Sequence, residues 1–275
     1  MRSLNKGTAD EDIDHFVRES SLEATRFISQ PKLDGSALSL EYRKGRLVRA
    51  ATRGSGNRGE DVTKNARRVE NVPGTLGAEV DVHIRGEVVM RKSTFEEQYA
   101  DVSPNPRNLA AGALRQKKAE GKANASDLVF LAYDAKFPDE LSRHPDSSPP
   151  PDANNDSEIL SWLTETAGVI PAPWIITESI EPSELTSGLC KETEKWTSQR
   201  EDYEFEIDGL VFKVDDLSKR DLLGMTAHHP RWALAWKFPP EEATSVLLHV
   251  DWQTGRTGTI TPVARIAPQR VGGVT

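Results

Sequence analysis

Segments that alternate apolar and polar residues with a period of two recur along this chain, and they constrain its fold more than any other feature. Leu38, Leu40 and Tyr42 form one apolar face, and Lys44-Gly45 then turns the chain into a second strand over residues 46–53. The segments VDVHIRGEVVM, YEFEIDGLVFKV and RWALAWKF alternate in the same way. The sequence therefore predicts an α+β fold of antiparallel sheets flanked by helices.

Helical patterns lie between these strands. Residues 8–28 carry apolar residues at near-helical spacing behind acidic ones, which predicts one or two short helices. Asn105-Pro106 is typical of an N-cap followed by proline in the first turn of a helix. Further helices are predicted over residues 158–166 and 184–200. Residues 137–156 are rich in proline, serine and aspartate, and they predict a surface loop.

Composition excludes several classes of protein. The 275 residues contain one cysteine, Cys190, so the chain cannot form an internal disulfide or a cysteine-rich zinc site. No apolar run reaches the ~20 residues of a membrane span, and the first residues lack the apolar core of a signal peptide. We therefore expect a cytoplasmic protein without membrane contact. The formal net charge of -8 disfavours a broad basic surface for nucleic acid, so any contact with DNA is expected to be local.

Charged residues interrupt the apolar strands at a few places, and Lys32-Leu33-Asp34-Gly35 is the first of them. A lysine directly before an Asp-Gly turn is held at the end of a strand, where it can act as a nucleophile. The tetrapeptide alone is far more typical of an ordinary turn, and the later charged groups are what favour the nucleophile. The later groups are Arg85-Gly86-Glu87, Glu206-Ile207-Asp208-Gly209 with Lys213, and Ala235-Trp236-Lys237-Phe238.

The spacing of Asp208 and Lys213 predicts an irregular strand. The two residues are five apart, so a regular pleat would send their side chains to opposite faces. A bulge permitted by Gly209 would bring both into one cleft. In RWALAWKF, Ala233 and Ala235 share one face with Lys237, and these small neighbours leave room beside the lysine for a bulky anionic group.

The most basic part of the chain is TRGSGNRGEDVTKNARRV. Three glycines within six residues precede a helix that we predict to begin near Glu60. Two interpretations remain open for this segment, a solvated charged face and a loop that contacts phosphate.

Taken in order, these segments resemble the adenylation (nucleotidyltransferase) domain of bacterial NAD-dependent DNA ligases. KLDG resembles the nucleophile motif of that family, and ATRGSGNRGEDVTKN, RGEVV, NPRNLAAGALRQ, EIDGLVFKV and HPRWALAWKF resemble its later motifs. GRTGTITPVARIAP is similar to the opening of the family's oligonucleotide-binding (OB) domain. The resemblance implies an ATP-grasp-like ligase fold over residues 1–243, and the beginning of an OB-type β domain over residues 244–275.

The resemblance also implies a reaction. Lys32 would attack the α-phosphorus of NAD, the AMP donor, and would carry AMP as a phosphoramidate. AMP would then pass to the 5′-phosphate of nicked double-stranded DNA, and a 3′-hydroxyl would displace it. Mg²⁺ is the implied metal, and a monomer is the expected state.

Particular residues match the family's functional positions. The implied catalytic residues are Lys32, Asp34, Glu87, Asp208, Lys213 and Lys237. The implied nucleotide contacts are Ser3 and Leu4 in a closing loop, Gln30, Lys32, Arg53, Glu87 at the ribose, Tyr133 stacked on adenine, Lys213 and Lys237. Arg107 and Arg115 match positions of phosphate or nick contact. Glu206 and Asp208 resemble carboxylates that orient Lys32 or bind magnesium, directly or through water.

Departures from the family pattern leave alternatives open. Gln30 stands where glutamate is usual, and Glu206 stands where aspartate is usual. Only 31 residues precede Lys32, fewer than the helical module that grips the nicotinamide mononucleotide half of NAD in this family. The complete OB domain and the family's later modules are also not found in this sequence. We therefore expect an isolated catalytic core, and the alternatives are an ATP-using relative or a non-catalytic module that binds adenylate or DNA.

Overall fold

The computed structural model describes most of the chain, in two compact units that divide between Phe238 and Pro239. The described residues are 4–21, 24–56, 58–117, 123–139, 142, 144–227, 229–239, 243–269 and 271. The domain boundary that we predict at residue 243 stays a prediction. Within the described residues, no helix has the length and apolar character needed to cross a bilayer.

Strands and helices alternate along the first unit, and a hairpin forms the second. The strands are β1 Asn5–Gly7, β2 Arg26–Leu33, β3 Ser36–Arg43, β4 Arg46–Thr52, β5 Val82–Met90, β6 Leu128–Lys136, β7 Ile175–Glu178, β8 Ile207–Val214, β9 Ala233–Lys237, β10 Leu247–Thr254 and β11 Ile260–Ile266. The helices are α1 Asp10–Ser20, α2 Thr63–Ala66, α3 Lys92–Gln98, α4 Pro106–Arg115, α5 Asp156–Trp162, α6 Pro182–Gln199 and α7 Leu217–Leu223. A 3₁₀ turn precedes β6 at Ala125–Asp127, and a π-helical turn extends α5 over Leu163–Ala167.

The first unit contains two sheets. One has five strands in the order β1-β9-β8-β2-β7, and only its β1–β9 pair is parallel. The other has four antiparallel strands in the order β4-β3-β5-β6. The hairpin at Lys44-Gly45 and the alternation of β5 are confirmed, and so is the α+β class of mainly antiparallel sheets. In the second unit, β10 and β11 pair antiparallel. The OB-type assignment of that unit stays a prediction.

Two apolar cores lie on opposite sides of strands that carry charged residues. Leu40, Ile84 and Leu114 belong to a core formed by the four-stranded sheet with α2, α4 and α5. Phe16 of α1 and Leu185 of α6 belong to a second core, formed with the five-stranded sheet. Each core buries more than a dozen side chains, and burying one large apolar side chain contributes roughly 1.5–3 kcal/mol.

The strand β2 contributes to both cores. Phe27 packs in the second core, whereas the neighbouring Ile28 packs in the first. Because side chains alternate along a strand, Gln30 and Lys32 lie on the same face as Ile28. The predicted nucleophile is therefore on the face of the five-stranded sheet that turns toward the first core.

Two predictions about helix boundaries are wrong. The helix expected near Glu60 begins at Thr63 and is four residues long. Glu60 instead pairs with β4, because its carbonyl accepts from the Thr52 amide at 3.0 Å and its amide donates to Thr52 Oγ1 at 3.1 Å. The surface loop predicted to reach residue 156 ends earlier, since Asp156 begins α5 and is only 1% exposed.

Candidate active site

Lys32 lies near the end of β2, beside a second lysine and a shared carboxylate. Its Nζ donates to Asp208 Oδ1 at 2.6 Å. Lys237 Nζ lies 3.2 Å from the other oxygen, Asp208 Oδ2. We call Lys32, Asp208 and Lys237 the lysine cluster. Asp208 therefore holds two ammonium groups close to one another that would otherwise repel.

A bulge in β8 aims Asp208 at Lys32. Lys32 pairs with Gly209 and Leu33 pairs with Ile207, so Asp208 is the extra residue of the bulge. Gly209 has a φ of 156°, and a Cβ there would lie 2.0 Å from the Trp236 carbonyl oxygen. Only glycine fits that approach. The bulge that the sequence predicts at Gly209 is confirmed.

The Asp-Gly turn after Lys32 is fixed against the neighbouring elements. The Asp34 carboxylate accepts from Arg107 Nη1 at 2.8 Å, which ties the turn to the first helical turn of α4. The Asp34 amide donates to the Glu206 carbonyl at 2.8 Å. Gly35 lies so close to β5 that a Cβ would be 2.2 Å from the Val88 carbonyl oxygen. The glycine of the motif therefore permits close contact between backbones.

Glu87 of β5 lies among the charged groups of this turn and of the lysine cluster. Burial raises the pKa of Glu87 to about 7, against the opposing effect of Lys32 and Arg107. Asp34 and Asp208 add to the increase because they are like charges. A carboxyl group with a pKa near neutrality is suited to proton transfer, and such groups are concentrated at functional sites.

A second group of predicted residues meets around Tyr133, which is itself the extra residue of a bulge in β6. Arg85 pairs with Asp134 and Gly86 with Ala132, so the register between β5 and β6 shifts at Tyr133. Lys213 Nζ donates to the Tyr133 carbonyl at 3.0 Å. Gln30 is buried, and its Nε2 donates to the Ala172 carbonyl at 3.4 Å, while the Ala172 amide donates to the Ala132 carbonyl at 2.7 Å.

We call Gln30, Tyr133 and Lys213 the tyrosine cluster. Burial, followed by Glu87, raises the pKa of the Tyr133 hydroxyl, and Arg85 and Arg53 oppose the increase. Glu87 thus interacts with groups of both clusters, and Arg53 lies within electrostatic reach of Tyr133. Lys213 shares the face of Lys32, because it pairs with Ile28 on β2 and side chains alternate. Its ammonium group, however, is held by Tyr133 and by Asp156 rather than by Asp208.

The remaining predicted residues lie around these clusters. Arg115 ends α4, and its Nε is 3.0 Å from Glu60 Oε2 in an exposed pair. Glu206 contributes its backbone carbonyl to the Asp34 turn. Leu4 directly precedes β1, the edge strand that pairs with β9 and hence with the strand of Lys237. Ser3 lies outside the described residues.

Sequence reasoning missed two charged residues, Asp156 and Arg220. Asp156 lies within reach of both Lys213 Nζ and Arg220 Nη2, and all three side chains are nearly buried. A signal for the first was present in the sequence. Asn155 and Glu158 have the spacing of an N-cap and its N3 partner, and Glu158 Oε2 accepts from the Asn155 amide at 3.1 Å. Arg220 carries no comparable signal.

The site offers few side-chain donors for a metal ion. Over the described ranges, no group of three or more His, Cys, Asp or Glu side chains is arranged to hold a metal ion. Mg²⁺ is commonly held by one or two carboxylates together with substrate phosphates, so the sparse donor set fits only that mode. The predicted contribution of Glu206 and Asp208 stays a prediction.

The two sheets, with the lysine cluster at the end of a central strand, agree with the nucleotidyltransferase-type ligase fold that the sequence predicts. The chain belongs to the NAD-dependent DNA ligase adenylation domain family, whose model matches residues 1–241. It is 39% identical over 289 residues to a DNA ligase of Rhodopseudomonas palustris (strain TIE-1), with 100% of this chain and 38% of that relative covered.

A DNA ligase of Acinetobacter baumannii (strain AYE) is 38% identical over 291 residues, with 100% of this chain and 41% of the relative covered. The chain thus spans about two fifths of the length of these curated relatives. Among solved structures, the ATP-dependent DNA ligase from bacteriophage T7 in complex with ATP is similar at a TM-score of 0.42 and 14% identity. That comparison covers 96% of this chain and 80% of the other.

Proposed function

We propose that this chain is the catalytic core of a DNA ligase, in which Lys32 accepts AMP from NAD and passes it to the 5′-phosphate of nicked DNA. The observation that carries the proposal is the lysine cluster, in which Asp208 holds the nitrogen of Lys32 and that of Lys237 at 2.6 and 3.2 Å. An amine fixed in this way is oriented for attack before substrate binds, which lowers the entropic part of the barrier.

The first proposed step forms one bond to phosphorus and breaks another. Lys32 Nζ, after losing a proton to Asp208 or to solvent, forms a bond to the α-phosphorus of NAD. The phosphorus–oxygen bond to nicotinamide mononucleotide breaks, and that group leaves with the bonding electrons. Lys237 and Lys213 stabilise the negative charge that spreads over the phosphoryl oxygens. The AMP on Lys32 then passes to a DNA 5′-phosphate, and a 3′-hydroxyl displaces it.

Other residues of the site bind and orient substrate in this proposal. Tyr133 and Gln30 would contact adenine, as the resemblance to the family implies, Tyr133 through its aromatic ring and Gln30 through its buried amide. Glu87 would contact the ribose, and with a pKa of about 7 it could also move a proton at neutral pH. Arg53 would contact the nucleotide from its position near Tyr133.

Arginines on α4 are the proposed contacts to DNA. Arg107 is 59% exposed and Arg115 is 53% exposed, so both can reach a phosphate once they release their acidic partners. With a net charge of -8, the chain is expected to contact nicked double-stranded DNA through such local groups and as a monomer. Mg²⁺, when bound with substrate, would supply further positive charge, with Glu206 and Asp208 as its proposed protein ligands.

Intact-mass spectrometry tests the proposal. The purified chain is incubated with Mg²⁺ and either NAD or ATP, and the expected product with NAD is a single AMP adduct. Lys32→Ala should abolish the adduct, whereas Lys191→Ala, at an exposed position of α6, should leave it unchanged. A productive reaction with ATP alone would identify an ATP-using relative instead.

A second assay separates the first step from the last. Nicked DNA that already carries AMP on its 5′-phosphate is supplied, and sealing then requires only the final displacement. We expect sealing by the wild-type chain. If neither donor gives an adduct and no pre-adenylated nick is sealed, although AMP binds, the chain is a non-catalytic binding module and the proposal is wrong.

A further inference from the structure

Lys213 of the tyrosine cluster belongs to a buried group of three charges, and the reaction described above uses neither of the other two. Asp156 lies between Lys213 and Arg220, and its carboxylate is 2.9 Å from Arg220 Nη2 and closer still to Lys213 Nζ. The three residues are 1%, 7% and 7% exposed, respectively. We call them the buried triad.

Arg220 is fixed on several sides. Its Nε donates to the Val214 carbonyl at 2.6 Å, and its guanidinium carbon lies 4.5 Å from the centre of the Trp232 ring. Such stacking and fork-like hydrogen bonding suit arginine and not lysine. Arg220 is therefore a fixed positive charge, and it contacts the same carboxylate oxygen of Asp156, Oδ2, as Lys213 does.

Asp156 is fixed through the backbone. It is the first residue of α5, and its amide donates to the Asp215 carbonyl at 2.8 Å. The Ser157 amide donates to Asp215 Oδ1, also at 2.8 Å. The N-terminus of α5 is thus tied to the residue that directly follows β8, the strand of Lys213. The backbone at Asp156 is therefore fixed by contacts that do not involve Lys213.

Stability alone is a weak reason for this arrangement. Removing a charge from water costs several kcal/mol per ion, and buried ion groups are often no more stable than apolar side chains of the same shape. The charges instead have a consequence for the site. Asp156 and Lys213 alone would form a neutral pair, whereas the addition of Arg220 leaves the triad with one net positive charge.

We propose that Asp156 is a positioning residue that holds Lys213 toward the substrate phosphate, and that Arg220 offsets the Asp156 charge so that the Lys213 cation remains effective. This inference rests on the proposed function, because it deepens the role of Lys213 in the same reaction. It predicts that substitution of Asp156 or of Arg220 changes the rate of adenylation, although neither residue touches Lys32.

Single-turnover adenylation of Lys32 at saturating donor tests the proposal. Asp156→Asn should slow the reaction by about 10-fold or more, because Lys213 then keeps only its hydrogen bond to the Tyr133 carbonyl and faces Arg220 as a like charge. Arg220→Gln should slow it by about 3–10-fold, and the conservative Arg220→Lys should restore most of that loss. The double variant Asp156→Asn/Arg220→Gln should be less impaired than the product of the two single effects, since the net charge is again one.

Lysine labelling gives a second readout that does not need catalysis. Acetic anhydride acylates neutral amines, and peptide mass spectrometry reports the rate at each lysine. In Asp156→Asn, Lys213 should be labelled at least about 3-fold faster than in the wild type, because a buried ammonium without a carboxylate partner loses its proton more readily. Labelling of Lys237 should not change.

Arg26→Gln is the matched control. Arg26 Nε lies 2.7 Å from Asp215 Oδ2, so this variant breaks a neighbouring ion pair between a partly exposed arginine and a buried aspartate, at the same junction of α5 and β8, without touching Lys213. It should lower the unfolding midpoint and leave the adenylation rate and Lys213 labelling unchanged. If it reproduces the effects of Asp156→Asn, the triad is only structural and the proposal is overturned.

Two further outcomes of these experiments bear on the proposal. Unchanged Lys213 labelling in Asp156→Asn, or equal rates for Arg220→Gln and Arg220→Lys, would overturn the proposal. The comparison of Arg220→Gln with Arg220→Lys tests the proposal even if Asp156→Asn does not fold. A wild-type chain that forms no adduct and seals no nick defeats the proposed function itself, and labelling then still shows whether Asp156 holds Lys213.

Discussion

Gly35→Ala offers a direct test of how the nucleophile is positioned. A Cβ at residue 35 would lie 2.2 Å from the Val88 carbonyl oxygen and 2.8 Å from Val89 Cγ1. Real Cβ contacts essentially never fall below 3.0 Å, so the turn and β5 must separate by about 0.8 Å. The atom in the way belongs to the backbone of a strand that is paired on both sides, so it cannot move aside cheaply.

The size of the effect follows from that displacement. Overpacking of this kind costs about 1–3 kcal/mol. For a chain of this size, such a loss lowers the melting temperature by roughly 2–12 °C. Lys32 is three residues away, and a misplacement of ~1 Å at a reacting group can reduce the rate by about 100-fold. We therefore expect both a less stable protein and slow formation of the AMP adduct.

Gly112→Ala is the control for this prediction. Gly112 is exposed in the middle of α4, and a Cβ there would meet nothing within 4 Å. Alanine should raise stability by about 0.5–1 kcal/mol through helix propensity. Thermal unfolding and single-turnover adenylation are measured for both variants. A Gly35→Ala protein that melts with the wild type and forms adduct at the same rate would refute the reasoning.

Three further predictions concern single carboxylates. Asp208→Asn should slow adduct formation by about 10–100-fold, because it removes charge-assisted hydrogen bonds worth about 1.5–3 kcal/mol. The same variant should change the free energy of unfolding by less than ~1 kcal/mol, because the ion pair is partly exposed. Single-turnover rates check the first effect and melting curves the second. Because the pKa of Glu87 is raised by burial to about 7, stability should fall as the pH rises from about 4.5 to 7, and melting curves of Glu87→Gln should lack that fall. Burial opposes ionisation of Asp81, but the Lys44 and His144 amides lower its pKa to about 2. The stability that Asp81 contributes, about 1–2 kcal/mol, should therefore be present above pH 4 and lost as the pH falls toward 2. Asp81→Asn should flatten this part of the plot of stability against pH, whereas an unchanged loss of stability at acid pH would contradict the assignment.

The parts of the fold that depend on local pattern were predictable from the sequence. Alternation gave the faces of β3, β5 and β9, and Asn105 caps α4 with a bond of 2.9 Å from the Asn108 amide. The bulge at Gly209 was predictable because Asp208 and Lys213 are five positions apart. Each of these features is decided within a few residues, so tertiary contacts do not override it.

Other features depend on contacts between distant segments. Asp156 and Lys213 are far apart in sequence, and nothing near either residue indicates that they meet. The bulge at Tyr133 lies beside Gly86, which packs closely against β6. A Cβ at residue 86 would lie 2.3 Å from the Leu131 carbonyl oxygen. The sequence predicts a helix from near Glu60, yet pairing with Thr52 holds Glu60 beside β4. Long-range pairing of this kind leaves no periodic signal.

The strands that carry the site are interior strands of their sheets. β5 lies between β3 and β6, and both β2 and β8 have neighbours on each side. Amide hydrogen exchange at interior strands requires larger openings than exchange at edges or loops. The backbone around Lys32, Glu87 and Lys213 should therefore be among the slowest to take up deuterium, so the reacting groups are carried on the part of the molecule that opens least often.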